Sequence, residues 1–171
     1  MPTTDTPSIA ALVPAAGQSA DPVLRQFVDT LRARGVHVRG LLQEMCPDEA
    51  SCKFSLVDIE TGSRYPISQN LGRQSTACVL DPAGIAEASI VMRRIASEGA
   101  ELAIFNRFSG LEADGDGFAA EMLDLMSAGI PVLTIVNERH LPAWRHFTGG
   151  MAVELPDDPV RLQCWFSRLS G

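Results

Sequence analysis

IAALVPAAGQSADPVLRQFVDTLRARG, residues 9–35, decides the fold. It opens with Ile9–Val13, an apolar run too short for a typical helix and unbroken by any polar side chain. That is the pattern of a strand buried on both faces. From Asp21 the period changes: Val23, Leu24, Phe27, Val28 and Leu31 fall on one helical face, with Asp21 and Pro22 as a start signal and Gly35 as a stop. A buried strand, a loop and an amphipathic helix make the opening unit of a parallel α/β sheet.

The same grammar recurs along the chain. Leu102–Phe105 (LAIF) and Pro131–Val136 (PVLTIV) are further apolar runs, nearly unbroken by polar residues. A helix is predicted over DPAGIAEASIVMRRIASEG, residues 81–99, with Ile85, Ala88, Met92 and Ile95 on one face and Asp81 as cap. Phe118, Met122, Leu125 and Met126 form the stripe of another helix, capped by Asp116 and ending at Gly129. Between the first two helices the period is that of strands. Val36–Gln43 alternates, and Lys53–Ile59 and Arg64–Ser68 read as two strands joined by a turn at Glu60-Thr61-Gly62. The chain closes with a helix around Leu141–Phe147, a strand at Met151–Leu155 and a helix from about Asp157, on which Trp144, Phe147 and Trp165 are expected to be core or interface aromatics. The expected architecture is therefore one α/β domain over residues 1–171, a three-layer, mostly parallel sheet with an appended antiparallel hairpin. Ile9–Val13, Leu102–Phe105 and Pro131–Val136 should lie side by side at its centre.

Composition narrows the function. A chain of 171 residues that is 46% hydrophobic can bury a sizeable core. Its net charge of −7 argues against a duplex-binding face, so no nucleic-acid partner is expected. No apolar stretch approaches a membrane span and the first residues do not form a signal peptide, which points to the cytoplasm. Cys46, Cys52, Cys78 and Cys164 follow no zinc or thioredoxin spacing and read as reduced thiols. All the basic residues except Lys53 are arginines, a bias that genomic base composition produces and that also suits bidentate oxyanion contacts.

In an open parallel sheet, ligands bind beyond the carboxyl ends of the strands. Three loops leave those ends here: Pro14–Asp21, Asn106–Gly117 and Asn137–His140. Their candidate ligand-binding residues are Gly17, Gln18, Ser19, Asn106, Arg107, Arg139 and His140, with Glu112, Asp114 and Asp116 able to attract a cation. The first loop invites comparison with a phosphate-binding P-loop, which needs several glycines, a lysine at the β/γ-phosphates and a Ser/Thr for Mg²⁺. Only Gly17 remains, and Asp21 and Pro22 stand where Lys and Ser/Thr would be. Neither Cys46 with Cys52 nor any His, Ser and Asp set builds a recognisable metal or catalytic constellation.

Residues 35–139 resemble the small P-loop nucleoside triphosphatases first described from thermophiles, relatives of the nucleotide kinases. GVHVRGLLQEM (35–45), FSLVDIETGSRYPIS (54–68), CVLDPAGI (78–85), AIFNRFSGLE (103–112) and GIPVLTIV (129–136) carry the likeness, in the family's order and spacing. At NRF, CVLDP and LPAWRHFTGG the chain is similar to a bacterial offshoot whose genes often neighbour molybdate-transport genes. The resemblance implies a P-loop-type fold. It also implies that Asn106 and Arg107 replace the acidic pair that holds Mg²⁺ and activates water in the hydrolases. Three functions remain open: a non-catalytic protein binding a small anion (molybdate, tungstate or a nucleotide), a scaffold or regulatory partner without a small ligand, and a nucleoside triphosphatase with relocated catalytic groups. A homo-oligomer is compatible with each.

Overall fold

A computed structural model describes residues 6–45, 54–70 and 78–170; Cys46, Cys52 and Lys53 lie outside these ranges. β1 (Ile9–Val13), α1 (Asp21–Ala33) and β2 (Val38–Met45) are followed by the hairpin β3 (Phe54–Asp58) and β4 (Arg64–Pro66). Next come β5 (Ser68–Asn70), β6 (Cys78–Leu80), α2 (Pro82–Glu98), β7 (Leu102–Phe108), α3 (Gly110–Ala113) and α4 (Ala119–Ser127). β8 (Val132–Val136), a 3₁₀ turn over Glu138–His140, α5 (Leu141–Thr148), β9 (Val153–Pro156) and α6 (Pro159–Ser170) complete the chain.

The main sheet runs β4-β3-β2-β7-β8-β1-β9. β2, β7, β8, β1 and β9 pair in parallel, and β3 and β4 extend the sheet antiparallel. β7, β8 and β1 are the three apolar runs, adjacent and interior as their composition requires. Each is buried on both faces because each contributes to two separate cores. Leu12, Leu102, Ile104, Leu133 and Ile135 face α1 and α6, meeting Leu24, Phe27, Leu31, Trp165 and Phe166. Ala11, Ala103, Phe105, Val132 and Val136 face α2, α4 and α5, meeting Ala88, Met92, Met122, Leu125 and Trp144. The alternation is that of strand side chains, and the result is a helix–sheet–helix sandwich.

The expected helices form where the periodicity places them. Asp81 caps α2, its carboxylate accepting from the Ala83 N–H at 3.0 Å. Asp116 does not cap α4: the N-cap is Phe118, and Asp116 offers its backbone carbonyl to the Ala119 N–H at 3.1 Å. Residues 64–68 are not one strand. β4 ends at Pro66, which has no N–H to continue a ladder, and from Ser68 the chain pairs with β6 in a small separate sheet. β9 starts at Val153, two residues later than expected.

β7 departs most from expectation. It continues through Asn106 and Arg107 to Phe108, so two polar residues read as loop lie in a strand. The ladder with β8 explains this. Phe105 pairs with Thr134 and Arg107 with Ile135, leaving Asn106 as an extra, bulged residue. A bulge kinks a strand and re-aims its side chains, and such features are over-represented beside functional sites.

Candidate functional site

The carboxyl ends of β1 and β7 meet at one carboxylate. β1 runs into an exposed loop in which Gly17 adopts a left-handed φ of +77°, a conformation that costs glycine little, and the Gln18 N–H closes a turn on the Ala15 carbonyl at 3.0 Å. The loop delivers Asp21 to the first turn of α1, where a negative charge is favoured by the helix dipole. No side chain caps this helix through its N-cap residue, Ala20.

Asp21 is held by three side chains. Its Oδ2 accepts from the Ser19 hydroxyl at 2.9 Å and from Arg107 Nη2 at 3.0 Å. Its Oδ1 accepts from Asn106 Nδ2 at 3.1 Å. In a regular strand, successive side chains point to opposite faces. Asn106 and Arg107 nevertheless grip the two oxygens of one carboxylate, as the bulge between Phe105 and Arg107 allows. The amide is itself fixed: Asn106 Oδ1 accepts the Gln43 N–H at 2.7 Å, beyond the last β2–β7 rung at Gly40 and Ile104. Asn106 is buried, whereas Asp21 and Arg107 are each about one-third exposed. Arg107 Nε is buried without a hydrogen-bond partner among the described residues.

The other candidates gather into separate pairs. Arg139 and His140 sit in the 3₁₀ turn after β8 rather than in an open loop, and Arg139 Nε donates to His140 Nε2 at 3.2 Å. Among the described hydrogen bonds, neither reaches Asp21, Asn106 or Arg107. Glu112 is no open cation site. Its buried carboxylate accepts from the Ser109 N–H (3.1 Å), the Ser109 hydroxyl (3.0 Å) and the Phe118 N–H (3.4 Å). Those bonds shape the stretch expected as loop into α3 and the turn behind it. Gly117 is required there, because a Cβ at its φ of +58° would stand 2.5 Å from Glu112 Oε1. Asp114 C-caps α3, and no group of three or more His, Cys, Asp or Glu side chains among the described residues is placed to hold a metal.

The structure therefore brings together Ser19, Asn106 and Arg107, and adds the one residue that sequence reasoning had set against the site. Asp21 is its centre. The signal was present in three positions read together: where the resembled hydrolases carry a lysine on the loop and carboxylates on the strand, this chain carries a carboxylate on the loop and donors on the strand. Chemically, the arrangement is a bound anion supplied by the chain itself. Arginine cannot act as a base near neutral pH, and the Asn106 oxygen and nitrogen are each engaged in one hydrogen bond.

Two solved structures share the fold. The chain superposes on THEP1 from the hyperthermophile Aquifex aeolicus with a TM-score of 0.65 and 14% identity, covering 93% of this chain and 95% of that one. A human cancer-related nucleoside triphosphatase gives 0.64 and 15%, with 86% of each chain covered. At such identities the likeness establishes the P-loop-type architecture. The chain is also 33% identical over 169 residues to the molybdenum import ATP-binding protein ModC 2 of Bradyrhizobium diazoefficiens. That alignment takes in 98% of this chain but 19% of the relative, so the chain spans about a fifth of that protein's length. Residues 9–165 match one family model, and the chain belongs to that family, DUF2478, described as proteins of unknown function.

Proposed function

We propose that this chain is a non-hydrolytic P-loop-like domain that acts as an accessory or regulatory unit of molybdate import in the cytoplasm. The observation that carries the first half is the Asp21 carboxylate bound across Asn106 and Arg107. A nucleotide phosphate in the loop would meet that carboxylate instead of a lysine, and two like charges within hydrogen-bonding distance disfavour each other in a partly desolvated site. The water-activating carboxylate of the hydrolases is absent as well. The second half rests on the relative: a protein named for molybdenum import carries a segment similar to nearly this whole chain within a much longer polypeptide. The described helices include none long and apolar enough to cross a membrane, which suits a unit working beside a transporter.

A second reading has its own support. Arg107 is about one-third exposed, its Nε has no partner among the described residues, and Gln18 and Ser19 lie on the same loop as Asp21. An oxyanion such as molybdate or tungstate could displace the Asp21 carboxylate from Arg107, with Arg139 and His140 at the neighbouring strand end.

One screen separates the readings. Purified protein is heated with molybdate, tungstate, sulfate, phosphate or Mg-ATP, and Mg-ATP turnover is measured in parallel. The accessory reading expects no turnover and no stabilisation by Mg-ATP. A selective rise with molybdate, roughly 2.7 kcal/mol at about a hundred times the dissociation constant, establishes the oxyanion site. Robust turnover abolished by Asn106→Ala overturns the non-hydrolytic reading.

A further inference from the structure

Between α2 and the α3–α4 segment runs a cleft of about 480 Å³. Pro82, Ala86 and Ser89 stand on its α2 wall, and Leu111, Asp116 and Glu121 on the opposite one. Pro82, Ala86 and Asp116 are exposed, so the cleft reaches the surface. One turn past Ala86, Ile90 is 54% exposed and prolongs the apolar wall. Ile85 and Leu111 line both this cleft and an inner cavity of about 160 Å³. They therefore have room behind them to yield to a bulky apolar side chain pressed in from outside.

Charge and backbone together define what covers it. Asp116 and Glu121 line the cleft with no Arg, Lys or His, and among the described residues neither is in an ion pair. Asp124, about one turn past Glu121, is exposed and equally without an ion pair there. Arg93, one turn past Ser89, donates to the Ser89 hydroxyl at 2.8 Å and ends the acidic stretch. An occupant thus gains by bringing cations to the α3–α4 wall. The α2 wall spends its N–H and C=O groups inside its own helix, so an extended peptide finds no ladder there and an occupant must satisfy its own backbone. A helix does so. Pro82 to Ser89 spans about 10 Å, two turns, which suits apolar anchors at i, i+4 and i+7. We infer that the cleft docks a basic amphipathic helix of a partner protein, its apolar stripe over Ile85, Ala86, Ile90 and Leu111 and its Lys or Arg side chains against Asp116 and Glu121. The cleft lining shares no residue with the Asp21 rim, so the molybdate screen answers for the rim alone.

The probe is a capped peptide of about 14 residues, cross-linked to hold it helical, with leucines at i, i+3, i+4 and i+7 and lysines elsewhere. The comparators are the same helix with glutamates for lysines and a lysine helix whose leucines are spread over all faces. Calorimetry should give a dissociation constant of roughly 10–100 μM for the probe, at least about tenfold tighter than for either comparator, and weaker at high salt. Amide resonances should move along α2 and α3–α4 and stay fixed on α1 and α6. Ala86→Trp, at an exposed position on the cleft wall, should weaken the probe at least about tenfold with the thermal transition unchanged. Asp116→Asn with Glu121→Gln should weaken it about tenfold, whereas Asp29→Asn with Asp157→Asn, on the α1 and α6 side, should leave it unchanged. The inference is overturned if the probe does not bind up to about 1 mM, if either comparator binds as well, or if Ala86→Trp or the Asp116 and Glu121 pair has no more effect than the control pair. A dimer in sedimentation that Ala86→Trp dissolves would overturn it too, by making a second copy the occupant.

Discussion

Two carboxylates stand on the same rim of the sheet and do different work. Glu112 is buried and accepts only neutral donors, from Ser109 three positions back and Phe118 six positions on. Asp21 is one-third exposed and accepts from Ser19 close by, but also from Asn106 and Arg107, more than eighty residues along the chain. The first shapes one loop. The second ties the start of α1 to the end of β7, across the position of β8. The local carboxylate therefore shapes one loop of the rim, and the long-range one joins two of its elements.

The contrast can be broken by substitution, and Glu112 should give the largest effect. Glu112→Ala leaves the Ser109 and Phe118 N–H groups buried without an acceptor, so chemical denaturation should show a loss of about 2–4 kcal/mol. Asp21→Ala exposes its partners to water more readily and should cost less, about 1–2 kcal/mol, most of it recovered in Asp21→Asn. If Asp21→Ala proves the more damaging, the long-range tie carries the fold and not merely the site. Arg107→Lys sharpens the comparison further: with charge kept and the fork geometry lost, the change should stay within about 1 kcal/mol.

The smallest effect belongs to a third carboxylate, about as exposed as Asp21 but on the outermost parallel strand. Glu154 on β9 makes two hydrogen bonds with Arg145 of α5, at 2.7 and 2.8 Å. The hydrogen bond to this guanidinium, partly offset by desolvation and helped by its charge, holds the Glu154 carboxyl below the usual carboxylate range. A carboxyl lowered in the folded state adds stability above its unfolded pKa, near about 4.3, and loses it as the pH falls through the folded value. Wild type and Glu154→Gln should therefore differ slightly in melting temperature at pH 7, by about 2 °C or less, and converge below about pH 4. A difference that persists at pH 3 would mean that packing of the side chain, not its charge, holds α5 to β9.

The same contrast explains what could be read in the sequence. The apolar runs Ile9–Val13, Leu102–Phe105 and Pro131–Val136 announce strands buried on both faces, and the helical stripes between them leave little choice of architecture. The Ser109–Glu112 spacing is a readable local signal, the returning half of a capping box, and α3 could have been found from it. Asn106 and Arg107 read as a loop at the carboxyl end of the strand, because polar residues after an apolar run look like an exit. Only the three-dimensional ladder reveals the bulge that keeps them within β7. The role of Asp21 was hidden for a related reason. A residue judged by itself beside a helix start is an obstacle to an anion, and it becomes an internal anion only when paired with donors from another strand.

The two borders of the sheet have a consequence for the company this protein can keep. β4 ends in Pro66 and β9 in Pro156, and both border strands are only a few residues long and carry a charged side chain, Arg64 and Glu154. Proline supplies no N–H, and a short charged border gives a foreign strand little to zip against. The protein is thus guarded on both flanks against runaway polymerisation into fibres. It follows that the borders of the seven-stranded sheet give an added extended peptide little ladder to continue.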